Sequence, residues 1–361
     1  MHPVVWLPLS TCGLAPEPAF WPLHTWPDGW KANEGSETCY HCGFMDQFSI
    51  GVDLGGTNLR AAAIDDRGEI LQRISGATNL SEGRDAVVDD IVRSIEALRD
   101  ARPGSRLVGV GIGVPGFILI EKGYIVGSNN LPDFENFPVR DVIEQKLGTK
   151  VILENDANAA ALGEKWMGAG RDVDDLILLT LGTGIGGGII SNGRVLHGHV
   201  GMAGELGHMT VVPGGNPCGC GNFGCLEKHA SATYIASAAK LLSLGDALTA
   251  EGVYRLALQG EARAKMIFES MGSALGIALS NLINIFNFPL YLLSGGPLPA
   301  WDFFSPAMFR EVKARSFTYR NTPTRIEKAT LGNLAGLYGA AYLPFQAAAA
   351  LEVAGSPDRR F

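Results

Sequence analysis

A strand, a glycine turn and a second strand occur twice, roughly 130 residues apart. In the first copy Phe48-Ser-Ile-Gly-Val-Asp-Leu54 runs into Gly55-Gly-Thr-Asn58, then Leu59-Arg-Ala-Ala-Ala-Ile64 and a turn at Asp65-Asp-Arg-Gly68. In the second, Asp175-Leu-Ile-Leu-Leu-Thr-Leu181 runs into Gly182-Thr-Gly184, then Gly186-Gly-Gly-Ile-Ile190 and Asn192-Gly193. β-rich segments joined by a glycine turn read as hairpins, and the echo points to two related lobes. The second turn also satisfies G-x-G-x-x-G through Gly182, Gly184 and Gly187. A dinucleotide motif must open a helix; here Ile189-Ile190 and an Asn-Gly turn follow, a strong hairpin signal. The dinucleotide reading fails on context.

Glycine turns gather backbone N–H groups into anion nests, and two facing nests can hold a polyphosphate. Each turn alone is equally an ordinary hairpin; the pair is harder to explain that way. Thr57 and Thr183 add hydroxyl donors. Asp53 cannot face a phosphate directly, because like charges repel. It suits a Mg²⁺ held through water, since that ion dehydrates reluctantly.

A second cluster lies further on. His208 precedes Cys218, Cys220 and Cys225 in a glycine-rich stretch flanked by Glu205 and Glu227. One histidine and three thiolates suit a closed tetrahedral zinc site, which leaves the two acids for another purpose. His197, His199 and His229 are spare, because the Cys3His set already completes four-coordination.

Between these features, Arg84–Arg99 carries a helical apolar stripe and Leu107–Val114 a buried strand. The loop Gly127–Asp133 places Asn130 either as a ligand to a hydroxylated molecule or as a plain turn residue. Val151–Asp156 ends a strand, and Ala157–Trp166 reads as a helix with Glu164 and Lys165 on its polar side. Asn155 and Asp156 thus stand where α/β sheets bind ligands, although Asp156 also reads as an ordinary N-cap. Leu226–Leu242, Arg263–Phe286 and Leu331–Tyr342 read as helices, with the tail frayed from Val353. Tyr291–Pro297 is a strand leading into Gly295-Gly296, a base or ribose contact or a simple strand exit.

The length of 361 residues favours two domains. A net charge of −8 argues against a nucleic-acid partner. No uninterrupted apolar run reaches the roughly 18 residues of a membrane span, and six cysteines are too few for a disulfide scaffold, which fits a cytoplasmic protein. Residues 1–44, with Trp6, Trp21, Trp26 and Trp30 and no periodicity, read as an unstructured extension ahead of Met45. Cys39-Tyr-His-Cys42 has the spacing of half a metal site, but no second half is nearby.

Together the motifs resemble the ROK family of sugar kinases and repressors, and most closely its bacterial glucokinases. The resemblance rests on Asp53-Leu-Gly-Gly-Thr57, Glu154-Asn-Asp-Ala-Asn-Ala-Ala159, Leu181-Gly-Thr-Gly-Ile-Gly-Gly-Gly188, Gly204-Glu-Leu-Gly-His208 and Cys218-Gly-Cys-Gly-Asn-Phe-Gly-Cys225, and runs from about Phe48 to about Ala341. It implies an α/β, actin-like (ribonuclease H-like) ATPase fold of two lobes, with ATP and a sugar in the cleft and a zinc-binding loop. The smaller lobe would take residues 45–117 and about 331–345, the larger 118–330.

By the same resemblance Asp156 is the general base. Asn130, Asn155, Glu205, His208 and Glu227 are hexose contacts. Gly55, Gly56, Thr57, Thr183 and Gly184 serve the phosphates with Asp53, and Gly295 and Gly296 the nucleoside. The implied reaction is ATP-dependent phosphorylation of a hexose at its 6-hydroxyl, glucose first, with Mg²⁺, a structural Zn²⁺ and a homodimer. An N-acetylhexosamine or fructose kinase would share these residues. A sugar-responsive repressor would need a basic helix-turn-helix ahead of the core, and residues 1–44 have almost no basic residues.

Overall fold

The computed structural model describes residues 46–128 and 130–355. The expected extension at 1–44 and the Cys39–Cys42 pair lie outside them.

Two five-stranded sheets carry the chain, and both are built on one plan. In the first, β1 (Gln47–Leu54), β2 (Asn58–Asp65) and β3 (Ile70–Ala77) form an antiparallel meander. The helix α1 (Arg84–Asp100) then crosses to β4 (Arg106–Val114), parallel to β1. A small ribbon, β5 (Phe117–Leu119) with β6 (Tyr124–Gly127), and the helix α2 (Val139–Leu147) lead to β7 (Val151–Asn155), parallel to β4. The sheet order is β3-β2-β1-β4-β7.

After α3 (Asp156–Trp166) the plan repeats. A meander of β8 (Leu176–Leu181), β9 (Ile185–Ser191) and β10 (Arg194–Val195) comes first. The helices α4 (Glu227–Ala230), α5 (Ala232–Leu241), α6 (Ala250–Leu258) and α7 (Ala262–Phe286) follow. Then come β11 (Leu290–Gly295), α8 (Trp301–Arg315), β12 (Arg325–Lys328) and α9 (Ala335–Gly355). The order β10-β9-β8-β11-β12 matches the first sheet strand for strand. Both expected hairpins are therefore present, each as the first two strands of a sheet.

Each sheet has its own core. The apolar stripe of α1 (Val87, Val88, Ile91, Ile95, Leu98) packs on the first sheet. Full burial of such a side chain contributes roughly 1.5–3 kcal/mol. The second core centres on α7, with Phe268, Met271, Leu275 and Leu279 against β8 and β11. Both α7 and α9 have the length and apolarity of membrane spans; here α7 is core and α9 packs on α3, β1 and β4.

Four sequence expectations shift. The first sheet runs past residue 117, because β7 pairs with the free edge of β4. The helix expected over Leu226–Leu242 breaks at Ser231, which turns extended and caps α5 by accepting from the Tyr234 N–H. Glu164, expected on a polar face, is fully buried: its carboxylate accepts the N–H groups of Ala169, Thr330 and Leu331 and so fastens the approach to α9. And α9 continues beyond Tyr342 through Pro344, held where Tyr342 stacks on Trp166 at 4.7 Å and Phe345 packs beside it.

That contact fixes α3 to α9 at very close range. A Cβ added to Gly339 of α9 would collide with the Ala159 carbonyl, and one on Gly163 of α3 with that of Ala335. Only glycine allows the two backbones to meet this closely. The Ser49 hydroxyl of β1 donates to the Ala341 carbonyl at 2.5 Å, binding α9 to the first sheet as well.

Candidate active site

The C-terminal ends of the parallel strands β1, β4 and β7 lie side by side, and the acids expected there are the residues that emerge from them. Asp53 pairs in register with Arg60 across the first hairpin, and its Oδ2 accepts from the Arg60 guanidinium at 3.1 Å. Burial pushes the Asp53 carboxyl above its usual range, and Arg60 opposes that shift. Gly336 faces the other oxygen, since a Cβ there would lie 3.2 Å from Oδ1.

At the end of β7, Asn155 and not Asp156 is the N-cap of α3. Its Oδ1 accepts from the N–H groups of Ala157 (2.9 Å) and Asn158 (3.2 Å), and its Nδ2 donates to the Gly116 carbonyl at 3.2 Å. Asp156 is thereby relieved of capping the helix beyond its own neighbour, Ala157, whose N–H it accepts at 2.9 Å. Burial lifts its pKa to about 6, the Ala157 N–H opposes this, and the charges of Asp53 and Glu205 add to it. Three carboxylates therefore stand within electrostatic reach of one another. A group that titrates near neutrality is what proton abstraction from a hydroxyl requires.

The two glycine turns border these acids. In the first, the Gly55 N–H donates to the Asn58 carbonyl at 2.8 Å, and the Thr78 hydroxyl to the Gly55 carbonyl at 2.8 Å. Thr57 is exposed. Asn130 is exposed too, and its backbone lies against Gly56. In the second turn the Gly182 N–H donates to the Gly184 carbonyl at 2.9 Å, and Thr183 is exposed. Gly295 sits opposite Leu181 in the β8–β11 register with φ of 110°, and the Gly296 N–H donates to the Leu181 carbonyl at 3.1 Å. The second glycine turn and the expected nucleoside contacts are thus neighbours. A shallow pocket lined by Tyr254, Phe268, Gly296, Pro297 and Ala300 adjoins them.

The glycine run of β9 brings up the remaining wall. Gly186 and Gly188 leave room for Ala157 and Ala161 of α3 on one face, and Gly187 for Gly204 and Leu206 on the other. Any side chain at 187 would displace the segment that carries Glu205 and His208. Beyond it, Glu227 opens α4 and accepts the Ile185 N–H at 3.2 Å, with Lys228 at 3.0 Å. Glu227 thus supports the Gly184 turn as well as belonging to the expected sugar wall.

The Cys3His set assembles as its spacing implied. The ligand atoms of His208, Cys218, Cys220 and Cys225 all lie within 4.8 Å of one another. Tetrahedral zinc with Zn–S of about 2.3 Å and Zn–N of about 2.0–2.1 Å needs S···S of about 3.8 Å and S···N of about 3.6 Å. Cys220 and Cys225 are 3.7 Å apart at sulfur, and Cys218 Sγ is 3.6 Å from His208 Nδ1. Burial and the adjacent thiols push the Cys225 pKa up to about 12; a bound cation would remove that obstacle to the thiolate. The donor set fits the metal.

Three residues escaped the sequence reading. Arg60 carries no motif, and only its register opposite Asp53 reveals it. Glu154 stood in a matched segment without a role, and His197 was set aside as spare; the two are 2.6 Å apart.

The ROK family model matches residues 49–347. The glucokinase of Halalkalibacterium halodurans is 38% identical over 314 residues, covering 82% of this chain and 95% of its own. Among solved structures, a ROK hexokinase from Thermus thermophilus superposes with a TM-score of 0.74 at 34% identity, covering 86% of this chain and 100% of its own. A ROK family glucokinase from Streptomyces griseus, in complex with glucose and AMPPNP, gives a TM-score of 0.68 at 34% identity, with 83% and 99% covered.

Proposed function

The chain belongs to the ROK family, and from that premise we propose that it transfers the terminal phosphoryl group of ATP to the 6-hydroxyl of a hexose, glucose first. The observation that carries the reading is Asp156, a half-buried carboxylate at a strand end whose pKa desolvation lifts to about 6, beside Glu205 and Asp53. The glucose and AMPPNP complex of the Streptomyces griseus relative supports both substrates.

In this reading Asp156 accepts the hydroxyl proton as the oxygen attacks the phosphorus, help worth about 10² to 10⁴ in rate. The Thr57 and Thr183 turns hold the phosphates, and their N–H groups neutralise charge as the bond to the leaving oxygen breaks. Asn130, Glu205, His208 and Glu227 contact the sugar. Asn155 keeps one amide hydrogen free for a hydroxyl. Gly295 and Gly296 contact the nucleoside.

Mg²⁺, when bound, supplies further neutralisation of the phosphates. Asp53 would hold it through water, because one oxygen is committed to Arg60 and the other lies beside Gly336, which presents no side chain. Zinc at His208, Cys218, Cys220 and Cys225 would be structural: Nδ1 of His208 would join the three thiolates, which leaves Nε2, 3.9 Å from Glu205 Oε2, for a sugar hydroxyl. The proposal includes two lobes, one per sheet, and a cytoplasmic homodimer.

The test is an ADP-release assay against hexoses, amino sugars and acetylated sugars, with the glucose product read by a 6-phosphate-specific dehydrogenase. Turnover with glucose above the others is the expected result. No ADP release with any hexose overturns the reading.

A further inference from the structure

Glu154 is 1% exposed, yet it carries a carboxylate at the end of β7, one residue before Asn155 and two before Asp156. A buried carboxylate is costly unless it is paired and hydrogen-bonded. Its Oε1 accepts from the Asn155 N–H at 2.9 Å and from Asn158 Nδ2 at 3.0 Å. Its Oε2 lies 2.6 Å from Nε2 of His197. Among the described residues no lysine or arginine forms an ion pair with Glu154, so its basic partner is the histidine. That hydrogen bond holds the His197 imidazolium above its ordinary pKa, against the effect of burial.

His197 lies just past β10. Its carbonyl accepts the Ala203 N–H at 3.1 Å, which closes a short loop leading directly to Gly204 and Glu205. At the far end of that loop Gly204, with φ of 97°, lies beside Asn158, whose Oδ1 would be 3.6 Å from a Cβ there. Asn158 Nδ2 holds Glu154. The sugar-facing segment therefore touches the corner between β7 and α3 twice, once through His197 and once through Gly204.

We infer that His197 is a positioning residue: through Glu154 it fixes the segment bearing Glu205 and His208 in register with the strand end that bears Asp156. The inference rests on the kinase reading. The pair touches neither reactant; it sets the spacing between the sugar contacts and the base. Loss of it frees the loop at one end and leaves a buried carboxylate oxygen without its partner, so hexose affinity falls first.

The experiment compares His197→Ala, His197→Gln and Glu154→Gln/His197→Gln with the wild type, by steady-state kinetics and by glucose calorimetry. His197→Ala is expected to raise the glucose KM at least about tenfold, with kcat within about threefold and the ATP KM unchanged. His197→Gln, which keeps an N–H donor, falls between it and the wild type. The double variant, which restores a hydrogen-bonded pair without the stranded charge, recovers most of the affinity in folded protein. A glucose KM unchanged in both single variants overturns the inference. So does an equal rise in glucose and ATP KM, or a folded double variant no better than His197→Gln. If His197→Ala does not fold, the order wild type, double variant, His197→Gln decides it. A wild-type chain that binds glucose but phosphorylates no hexose defeats the kinase reading instead, and calorimetry on the same variants still tests the pairing.

Discussion

Nδ1 of His208 faces Sγ of Cys218 at 3.6 Å, and the opposite ring nitrogen points to the Glu205 side. In the proposed reading one imidazole thus serves two sites. Whatever fixes its first nitrogen orients its second, so a metal and a sugar bound as proposed would be coupled through a single ring.

Cys220→Ser, or prolonged chelation, is accordingly expected to lower zinc from one per chain, raise the glucose KM and reduce Tm by at least about 5 °C. Elemental analysis, kinetics and a thermal melt check this. A zinc-free protein with wild-type KM and Tm sinks the structural-metal reading.

Asp156→Asn is expected to reduce kcat by about 10² to 10⁴ while glucose affinity by calorimetry stays within a few-fold. The asparagine keeps the shape of the side chain but cannot take the proton. Wild-type turnover in this variant removes Asp156 as the base.

The pH dependence follows from the same group. Its carboxylate must be ionised to act, so kcat/KM should rise about tenfold per pH unit up to about 6 and level above it. Stability runs the other way. The folded chain keeps this proton until about pH 6, whereas the unfolded chain loses it near 3.8. The folded state therefore binds the extra proton in that window, and stability from this group falls as pH rises through it, by up to about 3 kcal/mol. Asp156→Asn escapes that loss: its Tm should exceed the wild type's at pH 7.5 and match it near pH 4. Equal melting temperatures at pH 7.5 would mean that the burial effect is much smaller.

Gly339→Ala should cost about 1–3 kcal/mol, because its methyl meets the Ala159 carbonyl on α3. Gly76→Ala on β3, where a Cβ meets nothing within 4 Å, serves as the control and should leave Cm in urea unchanged. Equal Cm values for the two variants would contradict the close crossing.

Much of this was legible in the residues. The hairpins show because β-rich segments meet glycine turns, and the cluster shows because Cys218, Cys220 and Cys225 are close in sequence. Asp156 stood at a strand end, but its relief from helix capping depended on Asn155 adopting that role, which spacing alone does not decide. The break at Ser231 stayed hidden because serine within an alanine-rich run is locally acceptable in a helix. Glu164 and Glu154 look like surface acids in the sequence; their burial is set by N–H groups and a histidine that approach from distant segments. Arg60 and His197 act through cross-chain pairing, which a local pattern does not record.

The bond from Ser49 to Ala341 spans 292 positions. The strand that carries Asp53 emerges from the ribosome early, and the helix that packs on it, with Gly336 at the Asp53 carboxylate, emerges after both sheets. Until then β1, β4 and α3 lack the surface that α9 buries, and those contacts form only by closing a very long loop. Catalytic competence therefore arrives late in synthesis, and a nascent chain halted before residue 335 holds both glycine turns and the cysteine cluster yet lacks the helix that packs on α3, β1 and β4.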